Sequence, residues 1–513
     1  MDHALRMQIQ MPPRSRRALA LGVSAALALG GVLLTAPNAA AATCDPEGLG
    51  SRGDVDGDNV SDVVVGMPYV GEGSGAVDVR GTASPDRQLT SDLLGGSRDD
   101  NDQVGTAVAV GDLDGDGCAD LVVGAPGEGT GAPGRYTGQV HIVFGAPGGV
   151  DPSTAFVIPN SADPFDRFGA ALALEKRGDV HDLYVGAPEA KVNGKASAGE
   201  VHRYTITPGG AKRVTVTARE VRSQDSPGVP GTAETGDRFG SVLASVGTGF
   251  GVLVGDPLED IGSRADAGAV WFLRVGSSGT AAPSQSFDQD SSGVTGTAEA
   301  GDRFGASVGM RGRVAAIGVP REDDGSRADS GMVQVMILRA GDDRFYAHRA
   351  ITQASPGIPG ALEAGDRFGE QVVVGLALLC QENIDIAVGS PGEDVGERAD
   401  AGSITLLTQT GAADCPARVE RQGAGMAGAA EAGDEVGSVL TITRGRTDLD
   451  EDYADRVLVG VPREDIGAKV DAGLVQPLSG GIVADGVLGA TLQYPGGYLL
   501  GDRYGMVLNS SSD

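Results

Sequence analysis

The chain is predicted to be all-β: a seven-bladed propeller of four-stranded blades, closed by a composite blade to which both termini contribute. Three observations carry that prediction. One phrase, an apolar run ending in Gly-x-Pro, occurs seven times. A second, Asp-x-(aromatic or Val)-Gly, also occurs seven times. The two phrases alternate, but they are out of phase.

The first phrase reads VVVGMP (Val63 to Pro68), VVGAP (Val122 to Pro126), YVGAP (Tyr184 to Pro188) and LVGDP (Leu253 to Pro257). It continues as IGVP (Ile317 to Pro320), AVGSP (Ala387 to Pro391) and LVGVP (Leu458 to Pro462). The copies lie roughly 60–70 residues apart, a period that signals a repeat array. Proline has no amide to give a ladder and glycine permits a sharp exit, so the phrase marks a strand end.

The second phrase begins at Asp102, Asp166, Asp237, Asp302, Asp366, Asp434 and Asp502, and reads DRFG in four copies. A third follows each Gly-x-Pro: RADAGAV (Arg264 to Val270), RADSGMV (Arg327 to Val333), RADAGSI (Arg398 to Ile404) and KVDAGLV (Lys469 to Val475), with weaker copies around Val77, Val140 and Val201. Stretches such as VWFLRV (Val270 to Val275) and MVQVMIL (Met332 to Leu338) are β-rich with polar interruptions, as partly buried strands would be. About four strands fit each unit, the size of a propeller blade. The chain opens with a Gly-x-Pro half-unit and closes with an aromatic-Gly half-unit. A linear array would leave both halves unmatched, whereas a ring joins them and removes the exposed end faces.

Residues 1–42 are expected to be an export signal and residues 43–513 the propeller. Arg14, Arg16 and Arg17 precede an apolar run from Ala18 to Leu34 and a small-residue site at Ala39 to Ala42. Ser15-Arg16-Arg17 also fits a twin-arginine signal. No later apolar stretch is long enough to span a membrane. A formal charge of −30 disfavours nucleic acid as a partner. With 83 glycines and 4% aromatics, turns and short strands are expected rather than helices. Four cysteines in an exported chain suggest two disulfides: Cys380 with Cys415, which share one repeat, and by elimination Cys44 with Cys118.

DRFG-type phrases alternating with VVGAP-type phrases resemble the FG-GAP repeat family, best known from the head domains of integrin α subunits. The resemblance covers essentially the whole mature chain. It implies a seven-bladed propeller with calcium loops on its lower face. The sequence carries no leg domains, membrane span or cytoplasmic tail of an integrin subunit, so no signalling across a membrane is expected.

The residues themselves point to the same cation. Asp54, Asp56, Asp58 and Asp62 occupy positions one, three, five and nine of one loop; Asp112, Asp114, Asp116 and Asp120 do so in a second. Alternation turns the early carboxylates toward one point, and Val60 or Cys118 at position seven would offer a backbone carbonyl. Hard oxygen donors at this density suit Ca²⁺. The loops close at the ninth residue and lack the Glu expected at position twelve of an EF-hand. Metal-free Asx turns are the competing reading. A third loop keeps Asp448, Asp450 and Asp452, but Asp455 comes one residue early. The loops before Tyr184, Leu253, Ile317 and Ala387 have lost the pattern.

Other motifs receive structural readings. Asp266 and its equivalents are expected to brace a turn with Arg264-type neighbours as partners. The Asp-Arg pair of GDRFG is read as a blade-to-blade brace and its aromatic as core. The triplets Arg52-Gly53-Asp54 and Arg177-Gly178-Asp179 are read as incidental, because Asp54 is already assigned to calcium. Gly305-Ala306-Ser307-Val308-Gly309 spells a nucleophile-elbow pattern, but it falls in a strand rather than a strand-to-helix turn. The expectation is therefore a secreted, monomeric, calcium-binding module for an extracellular protein or glycan. A polysaccharide hydrolase or lyase, or a purely structural surface protein, is the alternative.

Overall fold

A computed structural model describes residues 44, 53–58, 60–81, 84–129, 136–158, 163–210, 212–245, 249–276, 278–380, 383–410, 415–444, 455–478, 507–508 and 510–511. The expected export segment lies outside the described residues. Seven antiparallel sheets follow one another along the chain.

Blade 1 holds β1 (Val63–Met67), β2 (Ala76–Arg80) and β3 (Arg87–Leu89). Blade 2 holds β4 (Ala107–Gly111), β5 (Asp120–Ala125), β6 (Gln139–Val143) and β7 (Phe156–Val157). Blade 3 is β8 (Ala171–Arg177), β9 (Val180–Ala187), β10 (Glu200–Pro208) and β11 (Val214–Arg222). Blade 4 is β12 (Val242–Ser245), β13 (Gly251–Asp256), β14 (Ala269–Arg274) and β15 (Gln285–Phe287). Blade 5 is β16 (Ser307–Arg311), β17 (Val314–Val319), β18 (Met332–Arg339) and β19 (Arg344–Ile351). Blade 6 is β20 (Gln371–Leu376), β21 (Ile384–Ser390), β22 (Ser403–Thr408) and β23 (Arg418–Gln422), with a short parallel β24 (Gly425–Met426) at its edge. Blade 7 shows β25 (Val439–Arg444), β26 (Asp455–Val461) and β27 (Leu474–Pro477) among the described residues. Two one-turn 3-10 helices, Ser91–Leu94 and Pro152–Thr154, are the helical elements of the described residues.

The ring closes as the phase offset requires. β28 (Val507–Leu508) pairs antiparallel with β1, Val65 opposite Leu508 and Gly66 opposite Val507, and so completes blade 1 from the C-terminal end. β29 (Ser510–Ser511) continues parallel to β4 of blade 2. The first strands of successive blades pack in sequence from β4 to β25, and β25 packs on β28 and β29.

The hydrophobic core is divided among the blade interfaces. Seven clusters of buried side chains each join two neighbouring blades. The last of these packs Val63, Val65 and Met67 of blade 1 against Leu458 and Val475 of blade 7, sealing the ring. Alternate residues of one strand point to opposite faces, so Val63 and Val65 enter that cluster while Val64 enters the one shared with blade 2. A strand covered on both faces needs no polar face, which explains the unbroken apolar second strands. It also corrects the expectation of partly buried strands. Trp271 and Leu273 pack toward blade 3 and Phe272 toward blade 5, so β14 is buried on both sides. Gln334, the polar interruption of β18, is fully buried and bonded to backbone: its Oε1 accepts from Thr295 N–H at 3.2 Å and its Nε2 donates to Arg349 O at 3.0 Å.

The two signature glycines meet across these interfaces. Every second strand ends at the residue before the Gly-x-Pro proline, as expected of a strand-end signal. The glycine itself has another role. At Gly124, Gly186, Gly255, Gly318 and Gly389 an added Cβ would overlap the carbonyl oxygen of the aromatic-Gly glycine of the next blade, respectively Gly169, Gly240, Gly305, Gly369 and Gly437. These Gly-x-Pro glycines do not have positive φ. Close backbone approach, rather than a sharp exit, is what excludes a side chain there.

Beside each glycine contact, a backbone hydrogen bond joins the blades. Phe304 N–H donates to Ala267 O at 2.8 Å, Phe239 to Ala198 at 3.1 Å, Phe368 to Ser330 at 3.1 Å and Val436 to Ala401 at 3.1 Å. The phenylalanines at 168, 239, 304 and 368 are fully buried, as read from the sequence. Replacing Gly186 with Ala is expected to destabilise the protein by about 1–3 kcal/mol, measured as a fall in Tm by calorimetry; an unchanged Tm would refute the close-approach account.

Candidate metal centre

The second Asp-rich loop connects β4 to β5, and the first leads into β1, the counterpart of β5 in blade 1, so both lie at the same end of neighbouring blades. In the first, one carboxylate oxygen each of Asp54, Asp56 and Asp58 lies within 4.8 Å of the others. In the second the converging group is Asp112, Asp114 and Asp120. Three of the four expected side chains thus meet in each loop, and the two sets differ.

The loops are shaped by their own carboxylates. Asp54 Oδ1 accepts from Gly57 N–H at 2.7 Å and Asp112 Oδ1 from Gly115 N–H at 2.8 Å. Val60 N–H donates to Asp58 Oδ1 at 2.8 Å, and Cys118 N–H to Asp116 Oδ1 at 2.9 Å. With the position-seven amides turned toward Asp58 and Asp116, these are Asx-type turns that gather the acids. The ninth Asp bonds back to the second residue of its loop: Asp62 Oδ2 accepts from Val55 N–H at 2.7 Å and Asp120 Oδ2 from Leu113 N–H at 2.7 Å.

Asp385 makes the same kind of bond in blade 6, accepting from Leu379 N–H at 2.7 Å, although that loop has lost the other acids. The ninth Asp is therefore a hairpin brace as well as a ligand candidate. In blade 3 its counterpart Asp182 instead pairs with Arg177 at 2.7 Å, which engages the arginine of the second RGD triplet. The first triplet leads into the cation loop through Asp54, and Arg52 is outside the described residues.

Electrostatics favour a cation in these loops. Asp62 and Asp120 are almost wholly buried, and Asp62 Oδ1 has no hydrogen-bond partner. Burial and the nearby Asp56, Asp54 and Asp58 push the Asp62 carboxyl up to about 9. Burial and the Asp114 and Asp112 charges likewise raise Asp120. Buried, crowded carboxylates are unfavourable as anions, and a divalent cation reverses that penalty. The donor set is all-oxygen, flexible and unmatched to helices, which fits Ca²⁺. Asp54, Asp56, Asp58 and Asp62 would hold one ion with the Val60 carbonyl; Asp112, Asp114, Asp116 and Asp120 would hold the other with the Cys118 carbonyl.

A disulfide ties the two loops together. Cys44 is bonded to Cys118 of the second loop, and Cys44 packs against Gly57 of the first, where an added Cβ would lie 3.3 Å from its nitrogen. The second disulfide, Cys380–Cys415, links the two hairpin ends of blade 6. Both pairings agree with those expected from the sequence. In the third loop Asp448, Asp450 and Asp452 lie outside the described residues. Asp455 is buried, and its Oδ2 accepts from Leu376 N–H of blade 6 at 2.8 Å.

The other acidic phrases are turn braces, though not in the expected pairings. Asp266 has a φ of 54° and donates its N–H to Asp260 Oδ1 at 3.0 Å, so Asp260 is the brace. Asp329, Asp400 and Asp471 repeat this on Asp323, Asp394 and Asp465. Arg264 pairs with Asp290 at 2.7 Å rather than with an acid of its own turn. The GDRFG aspartate accepts from the N–H three residues earlier, as Asp302 does from Glu299 at 2.6 Å. Of the Asp-Arg pair, only the arginine side chain reaches another blade among the described residues: Arg167 donates to Gln103 Oε1 at 2.6 Å, and Arg367 lies 3.5 Å from Glu435.

A fourth repeated phrase escaped the sequence reading. Gln224, Gln289, Gln353 and Gln422 follow or end the outer strands, within QDSPG, QDSSG, QASPG and QGAG. Each donates to a glutamate of the next blade: Gln224 to Glu259 at 2.6 Å, Gln289 to Glu322 at 2.5 Å, Gln353 to Glu393 at 2.7 Å and Gln422 to Glu464 at 2.6 Å. Its shared spacing from the outer strand was the available signal. Between blades 1 and 2 the same place is filled by Ser91, whose hydroxyl donates to Glu128 Oε1 at 2.9 Å, with His141 Nε2 2.7 Å from Glu128 Oε2. The glutamate sits between serine and histidine and all three are buried, so the order is that of an interface brace, not of a base-activated nucleophile. Ser307, in the elbow-like pattern, is buried in β16 and donates to Gly369 O at 2.9 Å.

Burial pushes Glu259 up to about 8 and Glu322 and Glu393 up to about 7. The folded state therefore keeps protons that the unfolded chain loses above about pH 4.5. Their contribution is complete below that pH and is lost as pH rises through the folded values. At saturating calcium, Tm is expected to fall between about pH 5 and pH 8, and Glu259→Gln to make the fall shallower. A Tm that is flat or rising over that window in differential scanning calorimetry contradicts this reading.

Comparison with known proteins follows the same lines. FG-GAP repeat descriptions match residues 104–143 and 296–336. Over 168 residues the chain is 33% identical to integrin alpha-PS2 of Drosophila melanogaster, covering 31% of this chain and 11% of that protein. Over 111 residues it is 36% identical to phosphatidylinositol-glycan-specific phospholipase D of Rattus norvegicus, covering 20% of this chain and 13% of that protein. The chain thus spans about an eighth of the length of these relatives. Among solved structures, a candidate 6-phosphogluconolactonase from Bacteroides uniformis aligns over 87% of this chain and 98% of its own, with 11% identity and a TM-score of 0.43. A likeness at that score says nothing about activity.

Proposed function

We propose that this chain, a seven-bladed propeller carrying FG-GAP repeats and resembling that of integrin α, is an extracellular calcium-stabilised module that binds a protein or glycan. The observation that carries the calcium reading is the convergence of Asp54, Asp56 and Asp58, and of Asp112, Asp114 and Asp120, each within 4.8 Å. Bound Ca²⁺ would neutralise the acids of both loops and rigidify the connections that hold the first two blades at that end. The residues of this chain do the gathering through their Asx turns, and the ion supplies the compensating charge.

Two disulfides support a location in an oxidising compartment. Among the described residues no helix is long and apolar enough to cross a membrane. Resemblance to an integrin α subunit supports a binding role, with recognition residing in the loops where the repeats differ.

Extracellular calcium modules bind with Kd of about 10⁻⁴–10⁻³ M. At about 10 mM Ca²⁺ each site would then add about 1.4–2.7 kcal/mol of stability. Chelation is expected to lower Tm measurably, and Asp56→Ala combined with Asp114→Ala to remove most of that response. Identical melting curves with and without chelator would refute calcium binding. A capture experiment on arrayed glycans and extracellular proteins, run with and without calcium, tests the binding role; turnover of an arrayed polymer would favour an enzyme instead.

A further inference from the structure

We propose that the cleft between blades 3 and 4 is a binding site for an oxyanion group, a carboxylate or sulfate borne by a ligand. The cleft has a volume of about 430 Å³ and is lined by Arg177, Arg203 and Arg219 of blade 3 and by the Ser278–Thr280 loop of blade 4. In a chain of formal charge −30, three guanidinium groups facing one cleft run against the general field. The acids beside them are Asp182 and Glu220, which leaves the cluster with an excess of one positive charge.

The arginines are held in place by groups behind them. Asp182, almost fully buried, takes Arg177 Nε at 2.7 Å and Arg177 Nη2 at 3.1 Å, and it accepts from Thr205 Oγ1 at 2.7 Å. Thr205 Oγ1 in turn accepts from Arg219 Nε at 2.9 Å. Arg203 donates Nε to Glu220 at 3.0 Å and Nη2 to the Gly279 carbonyl at 2.8 Å. Its Nη1 has no hydrogen-bond acceptor and approaches Asp182 Oδ1 only at 3.4 Å, although the side chain is 3% exposed. Asp182 and Glu220 thus compensate Arg177 and Arg203 from behind, and Arg219 is the lining arginine with no carboxylate partner among the described residues.

Arg219 is exposed and, among the described residues, is engaged only through its Nε on Thr205, which sets the direction of its rigid Nη fork. A planar fork of N–H donors matches carboxylate and sulfate oxygens. Ser278 and Thr280, whose hydroxyls bond to one another at 3.0 Å on the opposite wall, leave one hydroxyl proton to donate to a ligand. Arg203 supplies the charged floor, Arg219 the contact that grips the ligand.

The site is distinct from the Asp-rich loops, so the test is run on the full chain at saturating calcium. Sodium sulfate and sodium glucuronate are titrated separately, with sodium chloride as the ionic-strength control, and binding is followed by calorimetry. Saturable binding of one or both in the millimolar range is expected, and the preferred anion identifies the group. Arg219→Ala is expected to weaken it at least tenfold without altering Tm, and Glu220→Gln to tighten it. No saturation beyond the chloride control, or equal affinity in Arg219→Ala, overturns the proposal while leaving the calcium reading untouched.

Discussion

The close approach of glycine backbones between neighbouring blades is the constraint on which the rest of the structure depends. A blade can approach its neighbour at Gly186 or Gly318 only because no Cβ stands against the Gly240 or Gly369 carbonyl. That approach brings Phe239 and Phe368 amides within reach of the preceding blade. It also brings the alternating faces of the second and third strands into shared clusters. Seven such clusters leave each blade covered on both sides, and the pairing of β28 with β1 makes the series a ring rather than a stack.

Much of this was readable in the sequence because the repeat obeys one geometry. The phase offset between the Gly-x-Pro and aromatic-Gly phrases required the C-terminal strand to enter the first blade, and it does. The burial of Phe168, Phe239, Phe304 and Phe368 followed from their place before the strand. What could not be read was the partner of each motif residue. Gly124 contacts Gly169 from the following unit, and nothing within one repeat shows that. Likewise Gln224 looks like an ordinary loop residue until Glu259 of the next blade is placed against it. Polar contacts across an interface depend on three-dimensional register, so pairings such as Arg167 with Gln103 had no local signature.

The candidate metal centre divides in the same way. Alternating aspartates announced the converging carboxylates, because the spacing alone turns them inward. The second duty of the ninth Asp was hidden, and Asp385 reveals it by keeping the hairpin bond in a loop that has lost its other acids. The ring carries the loops at one end of adjacent blades, and Cys44 joins them by bonding to Cys118 and packing on Gly57. Calcium, disulfide and turn hydrogen bonds would therefore act on one patch, where uncompensated carboxylate charge opposes the packing that the glycines permit.

The central claim is that these loops are cation sites and not merely Asx turns. Anomalous diffraction from a crystal grown in calcium tests it most directly. The account predicts one ion bound by Asp54, Asp56, Asp58 and Asp62 and another bound by Asp112, Asp114, Asp116 and Asp120. Well-ordered loops held by hydrogen bonds alone, with no anomalous peak in either, would contradict it.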